Sequence, residues 1–381
     1  MAVTAPAAAG VFRDRYPIFD RAIYLNSCSL GALSVRARAR VDEYLDLWQA
    51  MGASAWYEIW WAALADLRAR YGRLIGAAPG AVALHAHISS ALTSVAESLD
   101  YSRRNRVVVT ELDFPTIAYQ WMVKAPRGVE VVVLKSPDGV RVPLEAFEAA
   151  IDARTALVAT SHVFFATGAI QDAAAIARLA HRRGALCLID GYQGAGQLPV
   201  DVTAMEADFY CAGGLKWLMG GSGIAFLYAA PHLTPDLFPQ ATGWFAHRDQ
   251  FNFDTHHFVP HDDARRFELG TPAVASVYAQ LGGLEALEEL GPAEARRITS
   301  GLVEDLLETA RGAGITPKVA PTPAERSGIV MLPSADPKAD VSRLADAGFI
   351  ADARPGHVRV SPWFYNVPDD HRALIPLLAR G

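Results

Sequence analysis

Cysteine is scarce in this chain of 381 residues. The three present, Cys28, Cys187 and Cys211, lie far apart and form no CxxC pair. Neither a disulfide framework nor a zinc site is indicated. Cys187 and Cys211 fall in apolar runs and read as inert core thiols. Positive charge is not in excess either. Thirty-five basic residues (35) stand against 41 acidic ones, a formal net charge of -6 with a pI near 6.0. That balance argues against a general nucleic-acid binder. No apolar run is long enough to span a membrane. The opening MAVTAPAAAG lacks the basic region and long apolar stretch of a secretory leader. The expectation is a cytoplasmic protein with neither nucleic-acid nor membrane partners. Repeats and low-complexity segments are missing as well. What remains, 51% hydrophobic and 20% charged residues, suffices for a sizeable core. The length fits one large domain and a smaller one.

The most informative stretch is ALCLIDGYQGAGQLPVDVTAMEADFYCAGGLKWLMGGSGIAFLY, residues 185–228. Its apolar runs, Leu186 to Ile189, Asp208 to Cys211 and Ile224 to Tyr228, are bounded by Gly and Asp and read as buried strands of a mostly parallel sheet. Ligands in such sheets bind beyond the carboxyl ends of the strands, where Asp190 falls. Lys216 sits among Gly213, Gly214, Gly220, Gly221 and Gly223. Desolvation favours a neutral amine, able to form a Schiff base with a carbonyl cofactor. A carboxylate at a strand tip suits the pyridinium nitrogen of pyridoxal phosphate (PLP).

Further strands are expected at Ile23 to Leu25, Ala81 to Leu84, Arg106 to Thr110, Val131 to Leu134 and Ala156 to Thr160. Helices are expected over 34–75 with a break near Gly52, over 91–99, 144–151 and 171–183, and as one long region over 273–311. Strand and helix alternate from Val107 to Tyr228, which predicts an α/β doubly wound sheet with helices on both faces. The clearest later strands are Ile329 to Leu332 and His357 to Ser361. Trp48, Trp56, Tyr57, Trp60 and Trp61 crowd one region; most read as packing or subunit contacts, and one or two could wall a substrate pocket. Ser89 and Ser90 open a helix. Hydroxyls there are ordinary caps, but with a PLP lysine nearby they become a phosphate cradle.

These segments together resemble a fold-type I PLP enzyme of the class V aminotransferase group. Cysteine desulfurases, selenocysteine lyases, isopenicillin N epimerase-like proteins and kynureninase belong to it. The likeness runs from Tyr24 to Leu378 and is anchored on Asp190-x-x-Gln193 followed by Lys216. The resemblance implies an arm over 1–20, a large PLP-binding domain over 21–280, and a smaller α+β domain over 281–381. It implies that Lys216 carries PLP and moves the substrate's Cα proton. Asp190 would pair with the ring nitrogen and Gln193 with the ring oxygen. Ser89 and Ser90 would hold the phosphate, and Phe114 of Asp113-Phe114-Pro115-Thr116 would stack on the ring. Thr271 would reach the phosphate of a neighbouring subunit, which implies a homodimer with shared sites. Trp244 is a further cofactor-region candidate. Arg359 would take the substrate carboxylate, as its planar fork suits. A surface ion pair is the alternative for Arg359, disfavoured by its apolar strand context. Asn26 and Phe165 are further candidates for substrate contact.

The departures from the group are specific. Desulfurases need a persulfide-carrying cysteine before the C-terminal strands, and no cysteine follows Cys211. Gly213 stands where desulfurases have a phosphate-binding serine, and Leu215 where they have a histidine. Phe164 and Phe165 follow Ser161-His162-Val163, where the group commonly has an asparagine, so a more apolar pocket is expected. The expectation is an enzyme acting on an amino acid through a Cα carbanion, chiefly as a β-eliminating C–S lyase rather than a persulfide-forming desulfurase. Aminotransfer, epimerisation, decarboxylating deamination and kynureninase-like hydrolysis share its early steps. A non-catalytic PLP-fold scaffold is opposed by the joint presence of Lys216, Asp190 and Arg359. A tailoring role in natural-product biosynthesis is compatible with so atypical a member.

Overall fold

The computed structural model describes residues 8–379. The first seven residues of the expected arm lie outside that range. Beyond them the chain makes two short turns, Arg13–Arg15 and Pro17–Asp20. Tyr16 between them is buried against Tyr365, ring centroids 4.6 Å apart. Strand β1 (Ile23–Tyr24) follows. The main sheet comprises β2 (Val82–His85), β3 (Arg106–Thr110), β4 (Glu130–Leu134), β5 (Thr155–Ser161), β6 (Leu186–Asp190), β7 (Phe209–Gly213) and β8 (Ala225–Ala229). The order across it is β2-β8-β7-β6-β5-β3-β4. All neighbours run parallel except that β8 is antiparallel to both β2 and β7. Val107, Val108 and Val109 are fully buried, as an inner strand covered on both faces requires.

Each face of the sheet carries its own core. On one, helix Ala173–Arg182 covers the sheet with Ile176, Ala177 and Ala180. On the other, Ile88–Ala96 and Pro115–Met122 contribute Leu92, Val95, Ile117 and Trp121. The α/β, doubly wound expectation therefore holds. Helix Trp61–Ile75 docks through Tyr71, whose ring lies on Phe226 at 3.9 Å between centroids and 8° between planes.

A second sheet is built from β9 (Val330–Pro333), β11 (Asp352–Arg354) and β12 (His357–Val360), in the order β11-β12-β9 and antiparallel. It shares a core with helices Pro292–Gly312, Pro337–Asp346 and Pro368–Leu378. Strand β10 (Phe349–Ile350) pairs in parallel with β1 and ties the N-terminal segment to this unit.

The structure departs from the sequence expectation in three places. The long helical region over 273–311 is two helices, Val274–Leu290 and Pro292–Gly312. Gly291 between them has φ of 89°, and Pro292 then starts the second helix at its first position, where a missing N–H costs nothing. The alternation of strand and helix stops at Asp190, because β6, β7 and β8 are joined without a helix. Helix Pro115–Met122 is additional, started by the same proline effect within the Asp113–Thr116 loop.

Candidate active site

The parallel register brings several strand tips to one level. Ser161 pairs with Asp190, and Asp190 with Cys211. The side chain of Asp190 accepts the Tyr192 N–H at 2.8 Å, and its carbonyl accepts the His162 N–H at 2.8 Å. Burial raises the Asp190 carboxyl above the ordinary range, while the Tyr192 N–H and the Lys216 charge oppose this. Asp113 clamps the neighbouring tips. It accepts from the Thr110 N–H at 2.8 Å, the Ser161 N–H at 2.7 Å and the Thr160 hydroxyl at 3.0 Å. The clamp fixes where Phe114, the next residue, leaves the sheet.

Lys216 stands on a turn closed by glycines. The Gly214 N–H donates to the Ile224 carbonyl at 3.0 Å, and the Gly220 N–H to Gly214 at 2.8 Å. A Cβ on Gly220 would lie 2.2 Å from the side chain of Gln280, so the turn packs only as glycine. The Lys216 amine has neither a hydrogen bond nor an ion pair among the described residues. It lies 4.4 Å from the centre of the Tyr192 ring. Burial holds the amine below the usual lysine range, and Arg359 and Arg354 push the same way against Cys28 and Asp190. Gln193 is buried with both ends engaged. Its amide donates to the Cys28 carbonyl at 3.0 Å, and its oxygen accepts from Trp217 Nε1 at 2.7 Å.

These groups open on a cavity of about 240 Å³. Ser89, Thr116, Ser161, Asp190, Gln193 and Lys216 are its polar lining, and Ile88, Phe114, Val163, Phe165, Tyr192 and Leu215 its apolar walls. Phe114 meets Phe165 edge to face at 5.2 Å. Ser89 lies in the first turn of helix Ile88–Ala96, whose free N–H groups and dipole favour an anion. Ser90 is turned away. Its N–H is capped by His87 Nδ1 at 3.1 Å and its hydroxyl donates to the His87 carbonyl at 2.7 Å.

Arg359 lies directly behind the cavity wall. It is 2% exposed, and one guanidinium nitrogen donates to the carbonyl of Phe165 at 2.7 Å. The other meets the Ser29 hydroxyl at 2.7 Å and Asp352 at 2.6 Å. Its Nε is buried with no acceptor among the described residues. Arg354 shares Asp352 at 2.7 Å. Thus Arg359 is ion-paired, but in the interior rather than on the surface. Asn26 is bridged to Ser361 above the second sheet and does not line the cavity. Phe164, next to Phe165, is fully buried in the core and faces away from the Lys216 cavity.

Thr271 and Trp244 are found elsewhere, at a second cavity of about 190 Å³ shared with Trp56, Tyr57, Trp61 and Phe251. Trp244 Nε1 donates to the Gln250 carbonyl at 2.6 Å. In this chain the expected cofactor residues therefore fall into two groups.

Residues 24–364 match the family model described as aminotransferase class-V. The chain belongs to that family. An uncharacterized aminotransferase, YcbU, of Bacillus subtilis (strain 168) is 33% identical over 371 residues, covering 97% of this chain and 96% of the relative. A kynureninase of Pseudomonas fluorescens is 31% identical over 371 residues, covering 93% and 87%. The fold matches the apo structure of a cysteine desulfurase from Thermococcus onnurineus NA1 with a TM-score of 0.89 at 22% identity, covering 100% and 99%.

The cavity of this class-V chain fits pyridoxal phosphate. Its lysine amine has no hydrogen-bond or ion-pair partner among the described residues, a carboxylate stands at the tip of β6, and a helix N-terminus with Ser89 supplies donors for an anion. Sequence reasoning missed Ile88, Thr116, Tyr192 and Leu215 as lining residues and Asp113 as the clamp. Only the position of Asp113 in the loop before Phe114 hinted at a role. The others are set by how the strand tips converge. No helix among the described residues is long and apolar enough to cross a membrane, and no cluster of His, Cys, Asp or Glu there could hold a metal ion.

Proposed function

We propose that this class-V, PLP-dependent enzyme acts as a β-eliminating lyase on an amino acid bearing a sulfur substituent at Cβ. The observation that carries the proposal is the cavity itself: an unpartnered lysine within apolar walls that include no cysteine. Such a pocket suits expulsion of a leaving group to solvent, and no cysteine lines it to receive sulfur. PLP, when bound, withdraws electrons from Cα and acidifies its proton.

Each residue has a task. Asp190 would hold the positive end of the ring and Gln193 its oxygen edge. Lys216 Nζ takes the Cα proton, helped by a lowered pKa that keeps more of the amine neutral. The Cα–H electron pair becomes the Cα=Cβ bond. The Cβ–S pair leaves with sulfur as a thiolate, which takes up a proton. Water then hydrolyses the freed 2-aminoacrylate to pyruvate and ammonium. Phe114 and Phe165 wall off water until the leaving group departs, and Arg359, held behind the wall by the Phe165 carbonyl, would orient the carboxylate.

Kynureninase-like hydrolysis is the second reading, favoured by the 31% identical relative. Thr271 and Trp244, which do not line the Lys216 cavity of their own protomer, fit a homodimer in which each subunit completes its neighbour's cofactor site. Three free, buried cysteines are consistent with a cytoplasmic setting. Purified protein should be yellow, and borohydride should fix the cofactor on Lys216. Incubation with S-substituted cysteines should release pyruvate and a thiol in equal amounts. A keto acid that keeps its side chain would replace the lyase reading with aminotransfer, and anthranilate from kynurenine would replace it with hydrolysis.

A further inference from the structure

Tyr192 and Gly213 have no part in the steps above, yet the structure makes them a matched pair. Gly213 ends β7, three residues before Lys216. Its backbone is not in the left-handed region, so nothing in its conformation demands glycine. The demand comes from Tyr192. A Cβ at position 213 would stand 2.1 Å from Tyr192 Cε2, 2.5 Å from Cζ and 2.7 Å from the hydroxyl oxygen. The Tyr192 ring and hydroxyl therefore fill the volume that a side chain at 213 would take.

The hydroxyl is unused by the fold. It has no hydrogen-bond partner among the described residues, whereas the Tyr192 N–H is committed to Asp190 at 2.8 Å. Tyr192 lines the same cavity as Ser89, Asp190 and Lys216. Burial pushes its phenol up to about 12, so it remains a proton donor throughout the neutral range. The ring-facing duties already have owners. Asp190 is at the β6 tip, and Gln193 is fixed by Cys28 and Trp217. For the phosphate, Ser89 and the helix N-terminus stand without the neighbouring Ser90, which bonds to its own cap and does not line the cavity.

We propose that the Tyr192 hydroxyl donates to the cofactor phosphate and takes the place of the side chain that Gly213 lacks. This rests on the PLP reading, and the experiment separates the two. Apoenzyme would be titrated with PLP and with pyridoxal, which has no phosphate, following intrinsic fluorescence and cofactor absorbance. Tyr192→Phe keeps the ring and removes only the hydroxyl. Loss of a hydrogen bond to a charged group should raise the Kd for PLP about 10- to 100-fold. The Kd for pyridoxal should stay within about twofold on the same reasoning, and the bound phosphate's 31P resonance should move. Tyr192→Ala combined with Gly213→Ser, which restores a hydroxyl from the other partner, should bind PLP more tightly than Tyr192→Ala alone. Wild-type PLP affinity in Tyr192→Phe would overturn the assignment, and so would equal losses for PLP and pyridoxal. Wild-type protein that takes up no PLP would bring down the cofactor reading itself.

Discussion

Arg359 offers the sharpest test of how the site binds a substrate, because its role can be split into two measurable parts. The guanidinium bonds to the Phe165 carbonyl, the Ser29 hydroxyl and Asp352, all at 2.6 to 2.7 Å. Arg359→Ala removes these bonds, but Asp352 keeps Arg354 at 2.7 Å and is not left as a bare charge. Two charge-assisted bonds without replacement give a loss of about 3 kcal/mol, within the range for breaking one side of a buried pair. Calorimetry should show this as a fall in Tm of several degrees. Arg359→Lys retains the charge without the fork, so it should recover part of that stability. It cannot restore the planar pair of donors a carboxylate accepts. Both variants should therefore raise KM for the amino acid by about 10- to 100-fold, the equivalent of one lost charged contact, and leave kcat within a few-fold. The wavelength of the bound cofactor should not change. A lowered Tm with unaltered KM in both variants would refute the reasoning, and Arg359 would then be a strut behind Phe165 and nothing more.

Two further outcomes follow. Burial lowers the His162 pKa from 6.5 to about 4, so the unfolded chain binds the proton more readily than the fold does. The stability is present in full above about pH 6.5 and drains away as pH falls towards 4, by about 2 kcal/mol between pH 7.5 and 5.0 at roughly 1.4 kcal/mol per pKa unit. Thermal melts across that window should show it, and an unchanged slope in His162→Gln would refute the assignment. Sedimentation should give twice the 41.0 kDa chain mass. Arginine in place of Tyr57 and Phe253, which are 74% and 71% exposed beside the second cavity, should split the dimer. A wild-type monomer would remove the shared-site proposal.

Much of this protein is legible in its sequence because local chemistry specifies it. The valine run Val107 to Val109 reads as a strand buried on both faces, and Asp190 as the residue that ends one. A lysine among five glycines announces a tight turn with one functional side chain. The positions of most strands and helices follow from such signals. The break at Gly291-Pro292 was also written there, in the glycine–proline pair. Other features depend on distance along the chain and have no local signature. Which way β8 runs depends on its pairing with β7 and β2. Ser89 faces the cavity and Ser90 does not, because His87 claims the latter's N–H. Arg359 looked like a free fork, and tertiary packing gave it Asp352, Ser29 and the Phe165 carbonyl. Gly213 looked like a lost contact, and only the folded chain shows the Tyr192 ring in its place. Most strands, the lysine turn and the carboxylate at its strand tip were specified locally, because each is a matter of neighbouring residues, whereas the short β10 and β11 were not. The tertiary structure decided who touches whom across the cavity, because that depends on where segments far apart in the chain come to rest.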